Sequence, residues 1–146
     1  MKHRTSLGQN FALKLADAAH NVERRLDASL GAIRGISYAE YRLLRALGNS
    51  PQSRASRVVL AQQIGITPSG ITRALRPLEK LGVVKTVKAE RDARLAIATL
   101  TSAGEELLRD ASGVVNDALD TILSRTPAVT ADIVMIADRL DELAQT

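Results

Sequence analysis

Apolar residues open the chain in a strict helical rhythm. Leu7, Phe11, Leu15, Ala18, Val22, Leu26, Leu30 and Ile33 recur at steps of three and four across residues 6–34, which predicts one long amphipathic helix. Gly31 and Gly35 bracket its end. A single apolar stripe of this length calls for a surface to bury against along the whole helix. The segment Ser37-Tyr38-Ala39-Glu40 opens the next helix as a capping box, in which hydroxyl and carboxylate satisfy each other's backbone N–H groups. Leu43, Leu44 and Leu47 continue its apolar face to Gly48, and residues 49–55, with Pro51 and two serines, predict a loop.

The pattern then shortens. Ser56 caps a helix over 57–64 with Val59, Leu60 and Ile64 pointing inward, and Gly65-Ile66 makes a tight turn. Thr67 is the N-cap of a further helix, with Pro68 at its first position, where a missing N–H costs nothing. This helix is expected to run to Leu81, and Gly82 supplies a left-handed exit. Residues 83–88 and 95–100 read as two strands joined by a charged six-residue hairpin tip, 89–94. Thr101 caps a helix bearing Leu108, Ala111, Val115, Leu119 and Ile122 on one face. After Thr126-Pro127 a final helix carries Ile133, Ile136, Leu140 and Leu143. The order predicts a mainly α chain with a small β hairpin, an α+β class.

The helix after Thr67 carries the chemistry. On a wheel, Ile71, Ala74, Leu75, Leu78 and Leu81 gather on one side, while Ser69, Thr72, Arg73, Arg76 and Lys80 gather on the other. Short hydroxyl residues near the N-terminus allow close approach to a duplex, the positive end of the helix dipole faces phosphate, and arginine reads guanine edges or clamps phosphates. Ala61, Gly65 and Ile71 complete a helix-turn-helix: a small residue at a helix crossing, a turn glycine, and an apolar plug, with Leu60, Ile64 and Ile66 filling the remaining core positions. The hairpin adds a wing whose Lys88, Arg91 and Arg94 are placed to reach an adjacent groove or backbone, with Asp92 as a buttress for one guanidinium. The candidate DNA-binding set is Thr67, Ser69, Gly70, Thr72, Arg73, Arg76, Lys80, Lys88, Arg91 and Arg94. A surface helix with ordinary cations is the plainer alternative for this face.

Charge distribution sharpens this. The net charge is +4 over 146 residues, but residues 51–101 carry +6 and residues 102–146 carry −6. A basic block within a folded domain points to a polyanion. Phe11, Tyr38 and Tyr41 are the three aromatics, too few for a stacking platform on single strands. The chain has no cysteine, which removes disulfides, thiol redox sensing and cysteine-based zinc sites. The two histidines, His3 and His20, have no motif partner, so neither metal nor cofactor is expected, and no nucleophile or phosphate loop suggests an enzyme. Lacking a long apolar run or a signal-like start, the chain is expected to be cytoplasmic, away from membranes.

The pattern Asp92-x-Arg94-x-x-x-Ala98-x-Leu100-Thr101, followed by Ala103-Gly104, resembles the wing signature of MarR-type transcriptional regulators. Leu60-Ala61, Gly65-Ile66 and Leu78-Glu79-Lys80-Leu81-Gly82-Val83-Val84 resemble the same family, so the likeness spans roughly residues 36–108 by motif. It implies a homodimer with intertwined first and last helices, binding to pseudo-palindromic duplex DNA, and often release by a small ligand. On that reading, residues 36–101 form a winged helix-turn-helix domain, and residues 5–35 with 102–146 form one helical dimerisation region.

The residues agree with a dimer, because the terminal helices carry more apolar surface than a domain of this size covers. The candidates are Phe11, Leu15, Val115, Leu119, Ile122, Ile133, Ile136 and Leu140. His20, Tyr38, Tyr41 and Arg45 are candidate lining groups for a small-molecule effector near the junction of the first two helices. Two positions depart from the family pattern. Pro77 falls inside the recognition helix and is expected to kink it, and Ala98 stands where a larger valine is usual. The competing reading is a dimeric winged-helix interaction module with weak or no DNA binding, against which the retained Arg73, Arg76, Arg91 and Arg94 speak.

Overall fold

The structure is a computed structural model describing residues 6–89, 92–125 and 130–145, with the side chains of residues 89, 92–94 and 130 outside that description. Six helices and three short strands follow one another as α1 (Leu7–Arg34), α2 (Tyr38–Gly48), β1 (Arg54–Ser56), α3 (Arg57–Ile64), α4 (Pro68–Lys80), β2 (Val84–Ala89), β3 (Asp92–Leu100), α5 (Ser102–Leu123) and α6 (Thr130–Ala144). The mainly helical α+β class and the winged arrangement are as the sequence pattern indicates.

Local chemistry sets the boundaries. The Ser6 hydroxyl accepts from Gln9 N–H to start α1, and Gly35, at φ 68°, ends it. The capping box of α2 is complete: Glu40 N–H donates to Ser37 Oγ at 3.0 Å and Ser37 N–H to Glu40 Oε2 at 2.8 Å. Tyr38 N–H also reaches back to Asp27 Oδ1 at 2.8 Å, which ties the start of α2 to the C-terminal third of α1. Thr101 caps α5 through Gly104 N–H. Its hydroxyl also donates to the Gly82 carbonyl at 2.7 Å, and its N–H donates to the Val83 carbonyl at 3.1 Å. One threonine thus joins the exit of α4, the base of the wing and the start of α5.

The segment 49–55 is more ordered than a loop. Pro51–Ser53 form a single 3-10 turn, with Gln52 and Ser53 in the left-handed region, and β1 pairs antiparallel with β3. The sheet therefore has three strands in the order β1-β3-β2. A three-residue strand is too short to show alternation, which is why its sequence carries no signal. Its register sets Ala55 opposite Ala98. Ala98 is fully buried in the central strand, so a small residue sits where two neighbouring strands converge. The wing strands differ from their expected bounds: β2 keeps its length but is shifted by one residue, to Val84–Ala89, and β3 starts three residues earlier, at Asp92, which pairs with Ala89.

Leu30, Leu43, Leu44, Leu47, Leu60, Ile71, Leu75 and Leu78 form the heart of the core, where α1, α2, α3 and α4 converge. Three expected core residues lie elsewhere. Leu81 is 61% exposed, because α4 stops at Lys80 and Leu81 is its cap; Gly82, at φ 74°, then turns the chain away. Val59 and Ile66 are also exposed: α3 buries Leu60 and Ala61, leaving Val59 in the first turn facing out, and Ile66 follows the left-handed Gly65. The terminal helices are incompletely covered. Only Leu26 and Leu30 of α1 are buried, whereas Leu7 and Phe11 are 86% and 54% exposed. Among the described residues α6 makes no more than marginal contact with any other element, and its Val134, Met135, Ile136 and Leu143 are open.

Candidate nucleic-acid interface

The recognition-like helix α4 starts as its sequence dictates. Thr67 is extended and accepts from Gly70 N–H at 3.2 Å, Pro68 takes the first position, and the Ser69 hydroxyl lies 3.1 Å from that of Thr67. Ile71, Leu75 and Leu78 are buried against the core, while Ser69, Arg73, Arg76 and Lys80 are exposed and Thr72 and Gly70 are half-buried. The division read from the wheel is present in three dimensions, apart from Leu81. α4 continues past Pro77 to Lys80, so the proline does not end the helix. Pro77 and Arg73 both face solvent, where water can satisfy the Arg73 carbonyl that Pro77 leaves without a donor.

Among the described residues Arg73, Arg76, Lys80 and Lys88 are in no ion pair. Glu79, the one acid of α4, accepts from the Thr86 hydroxyl of β2 and so turns toward the wing. Lys88 is exposed on β2. Arg91 lies outside the described residues, and Asp92 and Arg94 are placed by backbone only, at the start of β3.

One residue that the sequence pattern did not single out belongs to this site. Arg57, the first residue of α3, donates from Nη1 to Thr72 Oγ1 at 3.0 Å, and the Thr72 hydroxyl donates in turn to the Pro68 carbonyl at 3.1 Å. Arg57 Nε is buried without a hydrogen-bond partner. In sequence Arg57 is one of nine cations in the basic block; only the packing of α3 on α4 sets it apart.

A second concavity lies between α2 and α3. Tyr38, Tyr41 and Arg45 line it together with Arg42, Gln63 and Ile64, around a cleft of about 300 Å³. His20, the fourth residue expected here, is exposed on α1 and is not part of the lining. The Arg42 guanidinium donates to the Ile64 carbonyl at 3.1 Å, and Tyr41 Oη lies 3.3 Å from Ser112 Oγ of α5. Of the residues expected at a dimer interface, Phe11, Ile136 and Leu140 are exposed, Leu15, Leu119, Ile122 and Ile133 are half-buried, and Val115 is already enclosed in the chain's own core.

Residues 34–95 match the MarR family model, a segment that holds the helix-turn-helix and most of the wing. Over that segment the chain is similar to the MarR family. Solved MarR-type structures share the fold over nearly the whole chain. Sco3205, a MarR family transcriptional regulator from Streptomyces coelicolor crystallised with DNA, is 26% identical over 96% of this chain and 88% of its own, with a TM-score of 0.82. CouR from Rhodococcus jostii RHA1, solved bound to p-coumaroyl-CoA, is 20% identical over 95% and 94% of the two chains at a TM-score of 0.80. BpsR from Bordetella bronchiseptica, whose DNA binding is regulated by 6-hydroxynicotinic acid, is 16% identical over 100% and 98% at 0.78. The MarR-type relatives are transcriptional regulators, and among the described residues no helix is long and apolar enough to cross a membrane.

Proposed function

We propose that this MarR-type chain is a sequence-specific duplex-DNA-binding repressor that acts as a homodimer on a pseudo-palindromic operator. The observation that carries this reading is the face of α4, where Arg73, Arg76 and Lys80 stand exposed beside Ser69, in no ion pair among the described residues, opposite the buried Ile71, Leu75 and Leu78. Uncompensated cations aimed from one rigid helix suit phosphate and base edges, and an interaction module for another protein has no comparable need of them. The DNA-binding unit is residues 36–101. The terminal segments 5–35 and 102–146 form the dimer, which the uncovered apolar residues of α1 and α6 support. Two-fold symmetry then sets two copies of α4 about one turn of DNA apart.

The α2–α3 cleft is the seat of a small-molecule effector. Two guanidinium groups and two phenols around it suit an anionic, aromatic compound. Selection of bound duplexes from random-sequence DNA tests the reading, repeated with a panel of small aromatic acids. The expected result is an inverted-repeat motif whose recovery falls with at least one acid. Recovery of no duplex above the no-protein control overturns it.

A further inference from the structure

The hydroxyl of Thr72 is already engaged within the chain, as donor and as acceptor. A threonine hydroxyl has one hydrogen to give and two lone pairs to receive with. Here the hydrogen goes to the Pro68 carbonyl and one lone pair takes Arg57 Nη1–H. What Thr72 has left for a partner is a single lone pair and a methyl group.

We propose, resting on the DNA-binding reading above, that Arg57 is a positioning residue that makes Thr72 an acceptor-only reader, selective for the exocyclic amino group of adenine or cytosine and against the acceptor edge of guanine. In the major groove adenine and cytosine present an amino donor, whereas guanine presents only N7 and O6 acceptors. A freely rotating hydroxyl accepts from the first kind and donates to the second. A hydroxyl whose hydrogen is engaged can only accept, and meets guanine with lone pair against lone pair. Thr72 stands on the exposed side of α4 with Ser69, Arg73 and Arg76, half-buried, so its surroundings hold the remaining lone pair in one direction.

The state of Arg57 supports this role. Its Nε is buried with no partner, an unfavourable arrangement for a cation. The side chain is wedged between α3 and α4, unlike Arg73 and Arg76, which stand free in solvent. The charge-assisted bond to Thr72 is the polar contact that holds it there. Because Arg57 is on α3, this contact also fixes the N-terminal half of α4 against its partner helix.

The test uses the duplex recovered by random-sequence selection. Thr72→Val identifies the position Thr72 reads, as the one where base preference flattens. At that position the wild-type protein is then measured on duplexes carrying an analogue without the amino group, purine for adenine or 2-pyrimidinone for cytosine. Wild-type affinity is expected to fall roughly fivefold, the size of one net hydrogen bond, and Thr72→Val is expected not to respond. In Arg57→Met the discrimination against guanine at that position is expected to drop by about the same factor, with the salt slope unchanged; Arg57→Lys, which keeps a donor, restores part of it. In a Thr72→Val background, Arg57→Met is expected to change base preference no further.

An amino-deleted duplex bound as tightly as the parent by wild type overturns the proposal. A uniform loss in Arg57→Met with a salt slope shallower by about one also overturns it and makes Arg57 a phosphate contact. If Arg57→Met unfolds, the analogue series on the wild-type protein decides. A wild type that selects no duplex removes the DNA-binding reading itself, an outcome distinct from a wild type that selects duplexes yet ignores the amino group.

Discussion

Gly104→Ala puts two familiar effects in opposition. Gly104 lies in the first turn of α5, where alanine is the better helix former by up to about 1 kcal/mol, so propensity alone forecasts a gain. The packing says otherwise. A β-carbon at Gly104 would sit 2.0 Å from the Val83 carbonyl oxygen, 3.0 Å from the Val83 carbonyl carbon and 3.1 Å from Leu100 Cδ2. Comfortable heavy-atom contacts begin at roughly 3.5 Å, so the backbone must open by more than about 1 Å.

The Val83 carbonyl is not free to retreat, since it accepts Thr101 N–H at 3.1 Å and its neighbour, the Gly82 carbonyl, accepts the Thr101 hydroxyl at 2.7 Å. Opening the joint loses about 1 kcal/mol of hydrogen bonding and adds overpacking of roughly 1–3 kcal/mol. Less the propensity gain, the net loss is about 1–3 kcal/mol. For a chain of this size that lowers the thermal midpoint by roughly 3–10 °C, read by circular dichroism at fixed protein concentration. A midpoint at or above that of the wild type would show that the joint yields freely and that helix propensity decides at Gly104.

Arg73→Ala is expected to weaken binding to the selected duplex by about 1–3 kcal/mol in a mobility-shift titration and to relax preference at one position per half-site; wild-type affinity would remove Arg73 from the reading face. Ser37→Ala deletes one arm of the complete capping box of α2 and should cost about 1 kcal/mol in urea unfolding, whereas Ser6→Ala, at the exposed start of α1, should cost less. Phe11→Glu leaves the buried core untouched because Phe11 is outside it. With roughly 1.5–3 kcal/mol of burial lost per protomer, the dimer constant should weaken more than about a hundredfold by sedimentation; an unchanged dimer would place Phe11 outside the interface.

The elements legible in the sequence were those in which several signals coincide. α2 combined a capping box with an apolar stripe, and α4 combined Thr67-Pro68 with a two-sided wheel. β1 was not legible, since three residues cannot show alternation and its partner strand lies more than forty residues along the chain. Leu81 was misplaced because a wheel extrapolates a helix past its own cap. At the candidate interface the exposed cations of α4 could be read from periodicity alone. Arg57 could not, because its distinction is a contact across two helices. Proximity to the α1–α2 junction suggests His20 as a neighbour of Tyr38 and Tyr41, but an exposed α1 position does not reach the face that α2 turns toward α3.

The threonine that joins α4, the wing and α5 has a mechanical consequence. Thr101 makes the C-terminal end of α4 a pivot fastened to the helix that leads to the chain's terminus. α4 has 13 residues, about 20 Å at 1.5 Å per residue. A rotation of about 5° at the fastened end therefore sweeps its other end, with Thr67 and Ser69, through roughly 2 Å. Hydrogen bonds tolerate about half an ångström in length. A few degrees of tilt in α5 is thus enough leverage to carry the hydroxyl-bearing tip of α4 out of register with a base edge, with no residue at that tip having changed its own surroundings.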